Sequence, residues 1–93
     1  MALEFDWDSN KASTNFRKHG ITFNEAATVL GDPLATTFYD PEHSQEENRY
    51  VTIGFSERNR ILVISHTDRH GVIRIISARK ATGYERRFYE EKK

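Results

Sequence analysis

Apolar and polar positions alternate over "LEFDWD" (3–8), where Leu3, Phe5 and Trp7 stand against Glu4, Asp6 and Asp8. A period of two is the mark of a half-buried strand. Asp8 or Ser9 can then cap a short helix reaching about Lys18, with Gly20 as its stop. That helix offers only Ala12 and Phe16 to a core. "TFNE" follows, with Thr22 and Glu25 at capping-box spacing. Ala26, Ala27, Val29 and Leu30 form the apolar side of a second helix, which "GDP" at 31–33 ends. The region reads as a helical hairpin with a tight joint.

Beyond it the period is that of strands. "LATTFY" (34–39) is followed by the acidic loop "DPEHSQEEN". "RYVTIGF" (49–55) sets Val51, Ile53 and Phe55 against Tyr50, Thr52 and Gly54. "SERN" turns into "RILVISH" (60–66), and "TDRHG" turns into "VIRIISA" (72–78). Strands joined by short polar turns predict an antiparallel meander. Thr82 and Glu85 repeat the capping-box spacing and open a last helix, "GYERRFYEE", on which Tyr84 and Phe88 are expected to dock on the sheet. The predicted fold is α+β, a helical hairpin packed on a mainly antiparallel sheet in the order β-α-α-β-β-β-β-α. Only one short helix remains for the other sheet face, which should stay partly open.

Composition adds bounds. Ninety-three residues fit one domain, and 30% charged side chains suit an aqueous setting. No run of 18 apolar residues exists to span a membrane. "MALEFDWDSN" has acids where a signal peptide has a basic and then an apolar region. With no cysteine there is no disulfide or thiolate chemistry, and the cytoplasm is the expected compartment. Formal net charge is zero but unevenly spread: residues 32–47 sum to −5 and residues 57–80 to +4. A basic half of this kind can attract an anionic partner locally, since screening limits exposed charges to about 8–10 Å.

The basic half holds the candidate chemistry. Strict alternation along "VIRIISARKA" sends Ile73 and Ile75 to the helix-packed core. Arg74 then projects from the open face with Val72 and Ile76, with Arg79 and Lys80 at the strand's end. Arg60 and His66 fall on one face of their strand, and Arg58 lies in the turn beside them. The expected result is one cationic, histidine-bearing surface. RNA phosphodiester cleavage needs such a surface: a base for the 2′-hydroxyl proton, cations for the charge growing at phosphorus, and an acid for the leaving oxygen. Histidine titrates in the useful range, and arginine gives planar, bidentate phosphate contacts. The bland alternative is an Arg74 that only pairs with a loop acid. His66 and His70 have the four-residue spacing of some zinc pairs. Here that spacing crosses a strand end and a glycine turn, with no cysteine to complete a site, so no metal ligand and no cofactor is assigned. His43 is expected to be exposed in the acidic loop, and His19 to cap the first helix.

Three blocks, "FDWD…KHGITFNEAATVLGDP", "IGFSERNRILVISHTDR" and "IRIISARKATGYERRFYE", resemble the BrnT toxins of bacterial type II toxin–antitoxin systems. The likeness runs from Phe5 to about Tyr89. It implies a RelE-like fold, one ribonuclease toxin domain over residues 1–93, and metal-independent endoribonuclease activity that halts translation. It further implies a BrnA-like antitoxin whose DNA-binding part brings the complex, and not the toxin alone, to operator DNA. The resemblance puts weight on Arg79, Arg74 and His66, and less on Arg60, Lys80 and Tyr84. With the basic half read from the residues, catalysis is assigned to His66, Arg74, Arg79 and Arg60, and RNA binding to Arg58, Arg69, Lys80 and Tyr84. Where the family commonly has a proline after "FDWD", this chain has Ser9, which can cap equally well. Two other classes compete: a non-catalytic nucleic-acid-binding regulator, and an interaction module whose basic face docks an acidic protein.

Overall fold

Each helix begins where a polar side chain can satisfy its free amides. In the computed structural model, which describes residues 3–91, the elements are β1 (Glu4–Asp6), α1 (Ser9–His19), α2 (Phe23–Val29), β2 (Thr36–Tyr39), β3 (Arg49–Phe55), β4 (Ile61–Arg69), β5 (Val72–Lys80) and α3 (Gly83–Glu91). Asp8 caps α1 by accepting from the Lys11 amide at 2.9 Å, and Gly20 closes it at φ 71°. Thr22 caps α2 by accepting from the Glu25 amide at 3.1 Å. At α3 the full capping box forms: the Glu85 amide donates to Thr82 Oγ1, and the Thr82 amide to Glu85 Oε1.

The strands make one five-stranded sheet in the order β1-β5-β4-β3-β2. The meander pairs antiparallel as expected, and β1 adds a parallel edge beside β5. The β4–β5 connection is tighter than predicted. His70 (φ 55°) and Gly71 (φ 86°) alone make the turn, as in a type I′ hairpin, so both strands run further than their hydrophobic stretches.

The helical hairpin covers one face of the sheet. There Ile21, Phe23, Ala26 and Val29 pack on Leu62, Ile64, Ile75 and Ala78, flanked by Phe5, Trp7 and Ala12. Gly54 lets α2 approach, since a Cβ there would sit 2.9 Å from both Val29 Cγ1 and Ala35 Cβ. α3 covers part of the second face, where Tyr89 packs with Ile53, Ile61 and Val63. The rest of that face is open.

Two expected core residues are not in the core. Phe16 is 53% exposed, and the α1 residue that turns inward is Asn15. β1 pairs with β5 only over Val72–Arg74, which leaves the β5 edge without a strand at Ala78. The Asn15 amide fills that gap. Its Nδ2 donates to the Ala78 carbonyl at 2.9 Å and its Oδ1 accepts from the Ala78 amide at 3.0 Å. A buried edge must be paired, and a side-chain amide does it here. On α3, Tyr84 is 76% exposed, and Tyr89 with Phe88 makes the sheet contact instead.

Candidate nucleic-acid interface

A β-bulge decides where the arginines point. Ser65 pairs with Ser77, but the next residue, His66, pairs with Ile75, so Ile76 is the extra residue on β5. Strict alternation would put Arg74 and Arg79, five positions apart, on opposite faces. The bulge resets the phase between them. Arg74 stands opposite Thr67 and Arg79 opposite Val63, both on the face that α3 partly covers. Arg49 joins them from β3 opposite Thr67, and Arg69 follows Thr67 by two along β4. Four strand arginines thus share the open face, with Ser65, Thr67 and Ser77 between them.

Carboxylates hold most of these cations in place. Arg69 makes two hydrogen bonds to Glu47, at 2.7 and 2.9 Å, and Arg74 lies 3.2 Å from Asp6. Hydrogen bonding to Arg69, helped by the charges of Arg49 and Arg74, keeps the Glu47 carboxyl below its usual range. Arg79 makes a bidentate pair with Glu85, at 2.8 and 2.9 Å. That pair, with the Thr82 amide, lowers the Glu85 carboxyl to about 2. Because the folded value is depressed, the stabilisation is full above the ordinary value of 4.5 and is lost as pH falls toward about 2. Glu85→Gln should therefore lower the melting temperature at pH 7, and the gap from wild type should close between pH 4.5 and 2. Thermal unfolding across that range checks it; a gap unchanged at pH 2 would refute the pairing.

The acidic loop folds over the same face. His43 Nδ1 lies 2.8 Å from Asp40 Oδ2, and the His43 side chain is 63% exposed. Beneath the loop is a cleft of about 180 Å³ lined by Asp40, His43, Arg49, Ser65, Ile76 and Ser77. Arg49 Nε, on a residue that lines it, is buried and has no hydrogen-bond partner, and neither has Thr67 Oγ1, opposite Arg49 in the register but outside the lining. On the α3 side an apolar groove of about 350 Å³ lies between Phe38, Ile53, Tyr84 and Phe88.

The expected single surface joining His66 and Arg60 to Arg74 and Arg79 does not form. His66 is 7% exposed and lies on the hairpin face, where Thr52, its hydrogen-bond partner at 2.7 Å, and Tyr50, stacked on its ring, also lie. Burial lowers its pKa, and its Nδ1 has no partner. Arg60 shares that face, as parity predicts, but is engaged by the buried Glu25. Its Nε donates to Oε2 at 2.9 Å and Nη2 reaches Oε1, while Ser56 Oγ donates to Oε2 at 2.7 Å. Arg58 is exposed in the turn before β4, at the opposite end of that strand from Arg69, and Lys80 is exposed at the end of β5. Arg49 went unmarked in the sequence although it shares the parity of Val51 and Ile53, and that parity was the signal available. Nothing in the sequence marks that His43 would meet the β3–β5 surface.

The family described as "Ribonuclease toxin, BrnT, of type II toxin-antitoxin system" matches residues 7–85. The chain belongs to the BrnT family. It is thus a ribonuclease toxin of a type II toxin–antitoxin system, and membership implies an antitoxin partner. The crystal structure of the Brucella abortus ribonuclease toxin, BrnT, is similar, with a TM-score of 0.67 and 24% identity over 87% of this chain and 99% of that one. At that identity the likeness establishes a shared BrnT fold. A search of curated proteins finds no match. Among the described residues of this BrnT-family chain, no helix is long and apolar enough to cross a membrane. Among the same residues, no three His, Cys, Asp or Glu side chains gather as a metal-ligand set.

Proposed function

We propose that this toxin cleaves RNA on the open sheet face without a metal ion. The observation that carries the reading is the bulge at Ile76, which brings Arg74 and Arg79 onto one face with Arg49 and Arg69. RNA phosphates would exchange with the carboxylates that now hold Arg69, Arg74 and Arg79, since guanidinium binds both anions in the same planar geometry. Tyr84, exposed beside the apolar groove, offers a ring on which an unpaired base can stack. Lys80, paired with Leu62, belongs to the hairpin face and Arg58 to the turn near Glu25, so these two would meet RNA only beyond the edge of the open face. Arg60 and His66 support the sheet from beneath and carry no proton-transfer step in this reading. The whole chain acts as one ribonuclease domain in the cytoplasm, and cleavage arrests translation.

Neutralisation follows from the same charge pattern. A BrnA-like antitoxin segment, acidic or amphipathic, would mask the cationic face, and operator DNA would be bound by the complex through the antitoxin. The test is induction of the chain alone and together with the adjacent antitoxin gene, with total RNA examined. Growth arrest with fragmented RNA, relieved by co-expression, is the expected result. Cleavage by purified protein should persist in excess EDTA; activity lost to the chelator and restored by one divalent ion would overturn the metal-free reading. Specific operator binding by the isolated chain at physiological salt, without cleavage, would favour a regulator instead.

A further inference from the structure

The arginine face explains how RNA is held and its charge met, but it supplies no base. We propose that the cleft under the acidic loop is the cleavage centre, with His43 as the proton-transfer group and Arg49 as the cation at the scissile phosphate. The inference rests on the ribonuclease reading above and deepens it.

Three observations converge there. His43 is held by Asp40: in the neutral ring, Nδ1–H donates to Oδ2 at 2.8 Å, which fixes the tautomer whose Nε2 carries a free lone pair. A histidine oriented by a carboxylate is the arrangement that general-base chemistry uses. The ring forms one wall of a cleft whose floor is polar, made by Arg49, Ser65 and Ser77. On that floor Arg49 Nε–H is buried without an acceptor. An unpaired buried donor costs about 1–3 kcal/mol, so a cleft that keeps one on a guanidinium is suited to a ligand oxygen. A phosphodiester brings such oxygens, and Arg49 then meets the charge that grows on phosphorus.

The step balances without a co-reactant. His43 Nε2 takes the 2′-hydroxyl proton, and the 2′-oxygen bonds to phosphorus as the bond from phosphorus to the 5′-oxygen breaks. The leaving 5′-oxygen takes a proton from a solvent water, and the imidazolium returns its own to the hydroxide left behind. The products are a 2′,3′-cyclic phosphate and a 5′-hydroxyl end. His66 cannot take this part from its present place, because its ring is buried on the hairpin side of the sheet.

The test uses the full chain added to a cell-free translation reaction with end-labelled mRNA, which serves whether or not cleavage needs ribosomes. His43→Gln should slow cleavage at least about 10²-fold, the range for losing a positioned proton-transfer group. His43→Gly should regain part of its rate on addition of imidazole, which the exposed cleft admits. Arg49→Lys should retain more activity than Arg49→Ala. Thermal unfolding of both His43 variants should match wild type, since the side chain is exposed. If wild type cuts mRNA and His43→Gln cuts it equally fast, the inference falls and the ribonuclease reading stands. A 3′-hydroxyl and 5′-phosphate at the cut would also overturn the inference alone. If wild type cuts no RNA, both fall.

Discussion

Arg60→Ala is expected to unfold the domain before it says anything about catalysis. The change removes the main partner of Glu25, a carboxylate that is 2% exposed between α2 and the sheet. Hydrogen bonding to Arg60, joined by Ser56, keeps the Glu25 carboxyl below its usual range against the opposing effect of burial. Without the guanidinium, the buried charge keeps only Ser56, and breaking such a pair from one side costs about 3–5 kcal/mol. Small domains have about 5–15 kcal/mol in all, and each kilocalorie moves the melting point of a chain this size by about 4–8 °C. A fall in melting temperature on the order of 20 °C is the expected outcome by calorimetry or circular dichroism. The double change Glu25→Leu with Arg60→Met should recover most of it, because an apolar pair of similar volume leaves no buried charge. Arg60→Ala melting within a degree or two of wild type would show the pair to be dispensable, and would reopen a direct role for Arg60 in the reaction.

This pair marks the line between what alternation could and could not reveal. Element order, the three capping spacings and the meander were legible because each rests on local chemistry: Thr22, Thr82 and Asp8 cap the helices wherever those helices pack. Parity within an unbroken strand was legible too, so Arg60 and His66 do share a face. What parity cannot carry is phase across an irregularity. Ile76 is an ordinary strand residue in the sequence, yet as the bulge it places Arg79 on the side opposite to the one strict counting assigns. Asn15 was invisible for a different reason. Its value lies in an unpaired edge at Ala78, which exists only because β1 is three residues long. The cleft at His43 needs a loop from one sheet edge to lie over strands three places away in pairing order. No local pattern encodes that.

The uneven charge of the chain gains a physical account from the same geometry. The acidic segment 32–47 lies against the basic strands, where Glu47 engages Arg69, and Asp40 engages His43 at the cleft. Asp6 and Glu85 do likewise for Arg74 and Arg79. Neutral overall, the fold keeps its guanidinium groups oriented before any RNA arrives. Such preorganisation lowers the cost of meeting transition-state charge, because the cations need not be ordered at the moment of reaction. The carboxylates must yield to phosphate, and these pairs are exposed enough for that exchange: Arg79 is 42% exposed against 25% for Arg74.

Arg74→Ala and Arg79→Ala should therefore behave in the opposite way to Arg60→Ala. Each is expected to cut RNA cleavage by about 10²–10³-fold, the range for removing one electrostatic donor to the transition state. Each should leave stability within about 1 kcal/mol, because half-exposed ion pairs contribute no more than that. Glu85 retains its hydrogen bonds to Thr82 when Arg79 is gone, and the outer carboxylate of Asp6 returns to water when Arg74 is gone. The deciding measurement pairs growth inhibition on induction with thermal unfolding of the purified variant. Folded variants that still bind the antitoxin but no longer arrest growth would place both arginines at the reacting phosphate. Variants that unfold as they lose toxicity would return Arg74 to pairing with Asp6 alone. Full toxicity in a folded double variant would remove both arginines from the reaction and leave the charge at phosphorus to Arg49 and Arg69 on the same face.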